Sequence, residues 1–358
     1  MNEKMENLAA GRRIYSLDMA KFICSVLVVM IHITPFDGIG FLGFGIRSYA
    51  ARLSVPFFFV TSGFLLFRKT SYENLDTEYI FKYVCRLIRL YLVWSVIYLY
   101  PRVDNIIKSG DSLFQGILVY IKHFLFAGSY RHLWYINALI VATILTAVLI
   151  WKRCAVRTIF LAGGILYFAG LFAQSWFGLI TPLRELLPDF WSVLRLLQRL
   201  FHTTRNGLFE GFLFVALGMA FAFKDIRISR IRSFLGFGVS MLALLAEAVL
   251  VKFYGFAKEE DMYLFLVPAV FFLFHIVLHT ELRERKIYRI LGMLGSLVYF
   301  VHMWFFEIAY RILDLLKWNT FNRTLLFLLV ELSSIAVSYM ILRLSETKRF
   351  RWLRYLYA

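Results

Sequence analysis

The stretch SLDMAKFICSVLVVMIHITPF, residues 16–36, is long and apolar enough to cross a lipid bilayer as a single helix. Its ionisable side chains include Lys21 and His32, which lie eleven positions apart. Because eleven residues span about three turns and about 16 Å of an α-helix, both side chains project from nearly the same face. Ionisable groups are costly inside a membrane and usually have a partner or a function there. This face of the helix is therefore the first candidate for a functional site.

The composition of the whole chain is that of a membrane protein. Of its 358 residues, 60% are hydrophobic and 18% are aromatic, whereas only 18% are charged, which is far from the composition of a soluble domain. Apolar windows of about 20 residues, the length that spans a bilayer core, recur along the chain. They predict about ten transmembrane helices, at 17–35, 50–67, 83–101, 133–151, 156–177, 207–223, 233–252, 262–280, 290–313 and 324–343. We therefore expect an all-α polytopic membrane protein with a single transmembrane domain over residues 1–358, in which the first window is a retained helix rather than a signal peptide.

The net charge of +17 follows the predicted membrane topology. With ten helices and both termini on one side, most Lys and Arg residues fall in the N-terminal segment, in the loops on that same side and in the C-terminal tail. This bias predicts cytosolic termini in a protein of the cytoplasmic membrane, whose basic loops meet anionic lipid headgroups. No nucleic-acid partner is needed to explain the charge. The apolar outer surface leaves both a monomer in lipid and a homodimer open.

Several polar side chains other than Lys21 and His32 fall inside the apolar windows. Each must face the bundle interior or a wet cavity, or lie near an interface. A hydrogen bond to a neighbouring helix is a sufficient explanation for any one of them, but the collection indicates a polar path through the bundle. The members are Asn137, Glu210, Glu247, His275, His279, His302, Glu307 and Glu331.

Metal-binding and nucleotide-binding motifs are missing from the sequence. His275 and His279 have a spacing that could bind a metal from one helix, but no HExxH motif and no third ligand accompany them. The three cysteines, Cys24, Cys85 and Cys154, are scattered and predict neither a disulfide framework nor a metal cluster. We therefore expect no metal site and no permanently bound cofactor.

The segment KYVCRLIRLYLVWS, residues 82–95, presents Arg86 and Arg89 one helical turn apart. Two guanidinium groups so placed suit phosphate, because each offers a rigid fork of donors that can bind phosphate oxygens in pairs. Taken alone, the two arginines are better explained as anchors at the cytosolic membrane surface. Together with Lys21 at the same surface, they favour a cytosolic ligand that carries several phosphates.

Five segments of the chain share the pattern of one known family. They are the Lys21 to His32 spacing, RLSVPFFFVTSGFLLF at 52–67, the Arg86 and Arg89 pair, RHLWYINALI at 131–140 and LVYFVHMWFFE at 297–307. In this order, and over nearly the whole chain, they resemble the acyltransferase 3 family of membrane proteins.

This resemblance implies a ten-helix enzyme that takes an acyl group, usually acetyl, from cytosolic acyl-CoA and passes it to an acceptor on the other side of the membrane. Acceptors in the family are commonly hydroxyls of cell-surface glycans, and some are antibiotics or small metabolites. Arg86, Arg89 and Lys21 would then bind the CoA phosphates. His32 would act as general base on the acceptor hydroxyl or carry the acyl group, since imidazole suits both roles.

The remaining polar residues take their candidate roles from this scheme. Asp37 follows His32 closely in sequence and is a candidate for orienting the imidazole or the acceptor, so that it joins His32 and Lys21 as a candidate catalytic residue. The candidates for substrate binding are Asn137, Glu210, His302 and Glu307.

One part of the resemblance favours a different function. IHITPF at 31–36, the segment at 52–67 and TTRNGLFEGFLFVALG at 203–218 are especially similar to the membrane domain of vancomycin-resistance serine racemases, a branch of the same family. That membrane domain has been associated with amino-acid uptake, so an amino-acid (serine) transporter is the alternative. A scaffold for envelope assembly, with no chemistry of its own, is a third hypothesis.

Overall fold

The computed structural model describes residues 13–108, 112–318 and 322–357, and within these ranges the chain forms helices and turns without any strand. A π-helical turn at Gly207–Gly211 leads directly into one α-helix, and 3₁₀ turns lie at Ala50–Leu53 and Lys348–Leu356. The α-helices are α1 (Tyr15–Ile33), α2 (Gly40–Arg47), α3 (Ser54–Phe67), α4 (Thr77–Ile97), α5 (Leu99–Lys108), α6 (Leu113–Phe126), α7 (Trp134–Trp151), α8 (Val156–Leu171), α9 (Phe177–Ile180), α10 (Leu183–Leu186), α11 (Pro188–Phe201), α12 (Phe212–Phe223), α13 (Arg230–Phe253), α14 (Leu266–Leu278), α15 (Lys286–Leu315) and α16 (Arg323–Ser345).

A helix coincides with each of the ten apolar windows of the sequence. Six helical segments of the described chain are long and apolar enough to cross a membrane, namely Tyr15–Ile33, Gly40–Phe67, Trp134–Trp151, Arg230–Phe253, Lys286–Leu315 and Arg323–Ser345. Four further apolar helices are shorter than a membrane is thick: Phe114–Phe126, Val156–Leu171, Gly207–Phe223 and Leu266–Leu278. The protein is therefore an all-helical, multi-pass membrane protein. The total of ten crossings and the cytosolic position of the termini stay predictions.

Helix α4 begins earlier than the apolar window at 83–101 indicated. The Asp76 side chain accepts a hydrogen bond from the Tyr79 N–H at 2.8 Å and so caps the start of the helix at Thr77. Hydropathy detects only the apolar part of a helix, whereas a capping residue determines where the helical backbone begins. The polar first turns of α4 therefore carry the helix beyond the hydrophobic window, and Arg86 lies well inside it.

Two helix pairs form the centre of the bundle, α1 with α15 and α3 with α12. In the second pair, glycine lets the two backbones approach closely, as is common between membrane helices. A Cβ atom at Gly63 of α3 would lie 2.5 Å from the Val215 carbonyl oxygen of α12, and one at Gly218 of α12 would lie 2.6 Å from the Phe64 nitrogen of α3. Neither position has room for a side chain.

Glycine has the same role where α15 packs on α1. A Cβ atom at Gly295 would lie 3.0 Å from the Phe22 Cα atom, and the space beside Gly292 is filled by the Asp18 carboxylate. These contacts hold α15 against the face of α1 that carries Lys21. The same pairing brings the following turns of α15 next to the end of α1.

Replacing Gly218 by alanine is expected to destabilise the protein by about 1–3 kcal/mol, the usual effect of overpacking. The added Cβ would overlap backbone atoms of Val60 and Phe64. Thermal unfolding of the purified protein in detergent measures the change. Gly164→Ala is the matched control, because it adds the same methyl group to α8 at a position with nothing within 4 Å. Equal unfolding temperatures for the Gly218 variant and the wild type would contradict the close packing of α3 on α12.

Candidate active site

Two cavities lie along one face of α1, and Lys21 and His32 line one each. The first, which we call the lysine cavity, has a volume of about 510 Å³ and also contacts Asp18 near the start of the helix. The second, the histidine cavity, has a volume of about 50 Å³ and also contacts Val28 near the end of the helix. Lys21 and His32 therefore belong to neighbouring chambers rather than to one site.

The lysine cavity is strongly cationic at one end. Its only carboxylate within the described chain is that of Asp18, which is buried and shared by two cations. Arg13 Nε lies 2.5 Å and Lys21 Nζ lies 3.0 Å from the Asp18 oxygens. Since five cations border the cavity, the single carboxylate leaves it attractive to an anion. The five are Arg13, Lys21, Arg68, Lys69 and Arg86.

Another part of the lysine cavity is apolar. Leucine and isoleucine side chains from three helices form its middle, and aromatic rings close its deep end. A ligand that fits this shape would have anionic groups at one end and a less polar chain at the other. The residues of this apolar part are Leu65, Leu66, Leu87, Leu90, Ile136 and Leu139, followed by Phe58, Tyr135 and Tyr299.

The histidine cavity is bordered by charged side chains of both signs. The Asp261 carboxylate accepts hydrogen bonds from Arg52 and from Arg205, the second at 2.8 Å. The Arg205 guanidinium also lies 4.9 Å from the centre of the Trp134 ring. Asp261 lies in the loop before α14. Burial by itself would raise the pKa of its carboxyl, but the positive charges of Arg205 and Arg52 have the larger effect and hold that pKa below its usual value. His32 therefore faces two guanidinium groups held in place by an ionised carboxylate.

The segment that positions Arg205 is built around a capping asparagine. The Asn206 side chain accepts hydrogen bonds from the N–H groups of Leu208 at 2.9 Å and of Phe209 at 3.1 Å. This cap starts the π-helical turn at Gly207–Gly211. Arg205 immediately precedes the capped end, so its backbone position is fixed by the same hydrogen bonds.

The π-helical turn also places Glu210 at the histidine cavity. Gly207, the first residue of the turn, packs directly on α7, where an added Cβ would lie 2.5 Å from the Ala138 carbonyl oxygen. Glu210 is buried, and its Oε2 atom has no hydrogen-bond partner in the part of the chain that the structure describes. Single π turns inside helices are frequent at functional sites, because they redirect side chains that a regular helix would point elsewhere.

Three histidines pack together beside the histidine cavity. The His302 ring of α15 lies between the other two, with its centre 5.4 Å from that of His32 and 5.1 Å from that of His132. His302 Nδ1 lies 3.1 Å from the Val298 carbonyl oxygen, so this nitrogen carries the proton and donates it. Across residues 13–108, 112–318 and 322–357, no hydrogen bond reaches His302 Nε2 or either ring nitrogen of His132.

These buried ring nitrogens are available for contact with a ligand. Buried polar atoms normally have a partner, and an exception in a cavity wall is a candidate contact for substrate or water. Within the described ranges, no three His, Cys, Asp or Glu side chains converge in a way that could hold a metal ion. His302 Nε2 and both ring nitrogens of His132 are therefore available to a ligand or a water molecule beside His32.

The structure brings together five of the residues that the sequence singled out. Lys21 and Arg86 line the lysine cavity. His32 and Glu210 line the histidine cavity, and His302 packs on His32.

Two other predicted residues near the cavities have contacts of their own. The Asp37 carboxylate accepts a hydrogen bond from Arg323 Nη1 at 2.6 Å, which ties the loop after α1 to α16. The Arg89 guanidinium lies 4.8 Å from the centre of the Tyr355 ring in the C-terminal 3₁₀ turn. The orienting role of Asp37 and the phosphate-binding role of Arg89 stay predictions, since neither residue borders the lysine cavity or the histidine cavity.

Asn137 and Glu307 make hydrogen bonds between segments of the bundle. Asn137 Nδ2 donates to the carbonyl oxygen of Phe124 at 3.1 Å, at the end of α6. Glu307 accepts a hydrogen bond from the Tyr130 hydroxyl at 2.5 Å. A hydrogen bond to a neighbouring segment is sufficient to explain each of these polar residues, as the sequence analysis allowed. A substrate-binding role for either one stays a prediction.

Sequence reasoning missed most of the histidine cavity. Arg52, His132, Arg205 and Asp261 lie at helix ends or in loops, where a charged or polar residue is ordinary and gives no signal by itself. The first three do fall inside segments that were noted for their family pattern, which was the one available indication. Asp261 gave none, because its role depends on the two arginines that it contacts in space.

Known proteins similar to this chain include racemases. A serine/alanine racemase of Enterococcus gallinarum is 31% identical over 291 residues, which are 80% of this chain and 40% of that protein. An amino-acid racemase of Enterococcus faecalis is 29% identical over 351 residues, which are 94% of this chain and 47% of that protein. The chain thus spans about half the length of the curated relatives it matches, or less. No solved structure matches it.

The family match covers both cavities almost completely. A model for an acyltransferase domain matches residues 14–343, a range that includes Lys21, His32 and the helices around them. This match confirms the family that the five sequence segments resemble. The chain therefore belongs to the acyltransferase 3 family of membrane proteins.

Proposed function

We propose that this protein is a membrane-bound O-acyltransferase, which moves an acyl group from cytosolic acyl-CoA to a hydroxyl on an extracytoplasmic acceptor such as a cell-surface glycan. One observation carries the proposal. The face of α1 that holds Lys21 borders a cation-rich cavity, the same face holds His32 in a second cavity, and Tyr299 lies in the wall of both. Two adjoining chambers of different chemistry suit a donor on one side and an acceptor on the other.

The lysine cavity suits the donor. Coenzyme A carries phosphates at one end and a thioester at the end of a long, flexible arm. The cations of this cavity match the phosphates, and its apolar part matches the arm and the acyl group. Lys21 and Arg86 contact this space directly, so we assign them to phosphate binding, and Arg89 supports them from the next turn.

The histidine cavity suits the chemical step. In the proposed reaction the acceptor hydroxyl oxygen attacks the thioester carbonyl, the C–O bond forms and the C–S bond breaks. His32 takes the hydroxyl proton, which then leaves with the CoA thiolate. Alternatively, His32 itself carries the acyl group between thioester and hydroxyl. Arg52 and Arg205 lie where they could stabilise the negative charge that develops on the carbonyl oxygen.

Glu210 and His302 are the candidates for contact with the acceptor. Glu210 borders the histidine cavity, and one of its oxygens has no hydrogen-bond partner in the described chain. His302 packs directly on His32, and its Nε2 atom has no hydrogen-bond partner in the described chain, so this nitrogen is available to an acceptor hydroxyl. An acceptor hydroxyl held by these groups would lie next to the imidazole.

A second candidate function is amino-acid transport. It is favoured by the mixed charge of the histidine cavity, where guanidinium and carboxylate groups match the carboxylate and ammonium of an amino acid. The names of the racemase relatives point to the same class of ligand. A transporter would move serine without any need for acyl-CoA.

Replacing His32 by alanine is expected to lower acyl transfer by about 100-fold or more, the usual contribution of a general base. Membrane vesicles that contain native envelope material receive labelled acetyl-CoA on their cytosolic side, and label in the envelope material is measured at matched expression. His279→Ala is the control, because it removes an imidazole at the end of α14, away from both cavities. Normal transfer by the His32 variant would refute the proposed mechanism. Background labelling in the wild type, combined with saturable serine uptake into CoA-free proteoliposomes, would instead establish the transport function.

Replacing Arg86 by glutamine is expected to raise the KM for acetyl-CoA by about tenfold, the effect of losing one hydrogen bond between charged groups. Arg89→Gln is the matched variant one turn away, and its effect should be smaller, because its guanidinium packs on Tyr355 instead of bordering the cavity. Initial rates over a range of acetyl-CoA concentrations measure both. An equal or larger effect at Arg89 would contradict this placement of the donor.

A further inference from the structure

The lysine cavity and the histidine cavity meet at three aromatic rings, which we call the aromatic layer: Phe58 of α3, Tyr135 of α7 and Tyr299 of α15. All three line the lysine cavity, and Tyr299 also lines the histidine cavity. The rings pack on one another, with centres 5.6 Å apart for Tyr135 and Tyr299, 5.9 Å for Phe58 and Tyr135, and 6.2 Å for Phe58 and Tyr299. All three side chains are buried.

Helices α3 and α7 line the histidine cavity on one side of the aromatic layer and the lysine cavity on the other side. On α3, Pro56 borders the histidine cavity and Thr61 borders the lysine cavity, with Phe58 between them. On α7, the change falls between Trp134 and Tyr135. On the side formed by these helices, a group that passes from one cavity to the other therefore passes these rings.

Hydrogen bonds fix two of the three rings. The Tyr299 hydroxyl donates to the His132 carbonyl oxygen, and the Tyr135 hydroxyl lies 3.1 Å from Ser62 Oγ. Phe58 has no polar atom in its side chain, so only packing holds its ring. Shortening Phe58 would open the layer without leaving a buried polar group unsatisfied, which is the more serious defect.

The histidine cavity offers little room beyond the layer. Its volume of about 50 Å³ corresponds to about three or four water molecules on the same measure. A group of a few heavy atoms fits there together with an attacking hydroxyl, whereas a long hydrocarbon chain does not.

We propose that the aromatic layer selects the length of the transferred acyl group and that Phe58 is its main determinant. The inference rests on the proposed acyltransferase function and narrows its donor to short-chain acyl-CoA. An acetyl group reaches past the layer toward His32. A longer chain overfills the small histidine cavity and needs additional room at the layer, where the Phe58 ring occupies the space. Its thioester carbonyl is therefore held back in the lysine cavity, out of reach of the imidazole.

The test measures transfer and binding of acetyl-, butyryl-, hexanoyl- and octanoyl-CoA by the full-length protein in vesicles. In Phe58→Leu and Phe58→Ala, the ratio of hexanoyl to acetyl transfer should rise by about tenfold or more. About tenfold is at the low end of the change in substrate discrimination that methylene groups in a hydrophobic pocket produce. Phe57→Leu is the matched control, since Phe57 is also buried but packs on Phe274 of α14 and borders neither of the two cavities. Its ratio should equal that of the wild type.

The ratio of two donors in one preparation does not depend on how much protein is folded, so a loss of stability does not imitate the expected result. An unchanged ratio in the Phe58→Leu protein, with acetyl transfer retained, would overturn this inference and leave the acyltransferase function standing. Octanoyl transfer by the wild type as fast as acetyl transfer would also overturn it. Failure of the wild type to bind or transfer any of the four thioesters would overturn the acyltransferase function, and this inference with it.

Discussion

The structure depends on one constraint, which is that hydrocarbon cannot solvate the polar face of α1. Lys21 and His32 are tolerable in a membrane only if other helices enclose them. Helix α15 does so most directly, through the close contacts of Gly292 and Gly295 with α1. Helices α3 and α7 complete the enclosure and supply the walls of both cavities. The polar groups that membrane insertion would penalise thus become the lining of an internal site.

The enclosed space is divided by charge. At one end, several cations share a single buried carboxylate, so the lysine cavity is attractive to anions. At the other end, Arg52 and Arg205 are paired with Asp261, and the histidine cavity presents both signs of charge around an imidazole. The aromatic layer separates the two environments. This division favours a reaction in which a large anionic donor stays on one side while a small group crosses to the other.

The division also explains why similarity to racemases and membership of an acyltransferase family are compatible. The racemases match this chain over only 40% and 47% of their own length, and the family model matches residues 14–343 of this chain. A cavity with guanidinium and carboxylate groups can receive an amino acid, a glycan hydroxyl or a hydroxyl of a serine-like acceptor. What the lysine cavity binds is therefore the property that distinguishes the two proposed functions, because acyl-CoA carries several phosphates and a zwitterionic amino acid carries no net charge.

The sequence by itself determined the membrane class, the helical fold and the face of α1 that matters, because hydrophobic length and helical period are local properties of the chain. It placed Lys21, His32, Arg86, Glu210 and His302 among the candidates, and the structure gathers these five at the two cavities. Only the tertiary structure decided which neighbours they meet, as side-chain contacts between distant helices leave no periodic signal. In the tertiary structure Arg86 borders the lysine cavity while Arg89, on the same helix face, packs on Tyr355. Asp37, Asn137 and Glu307 make contacts elsewhere. Asp261 and Phe58 join the candidate residues only through the side chains that they contact in space.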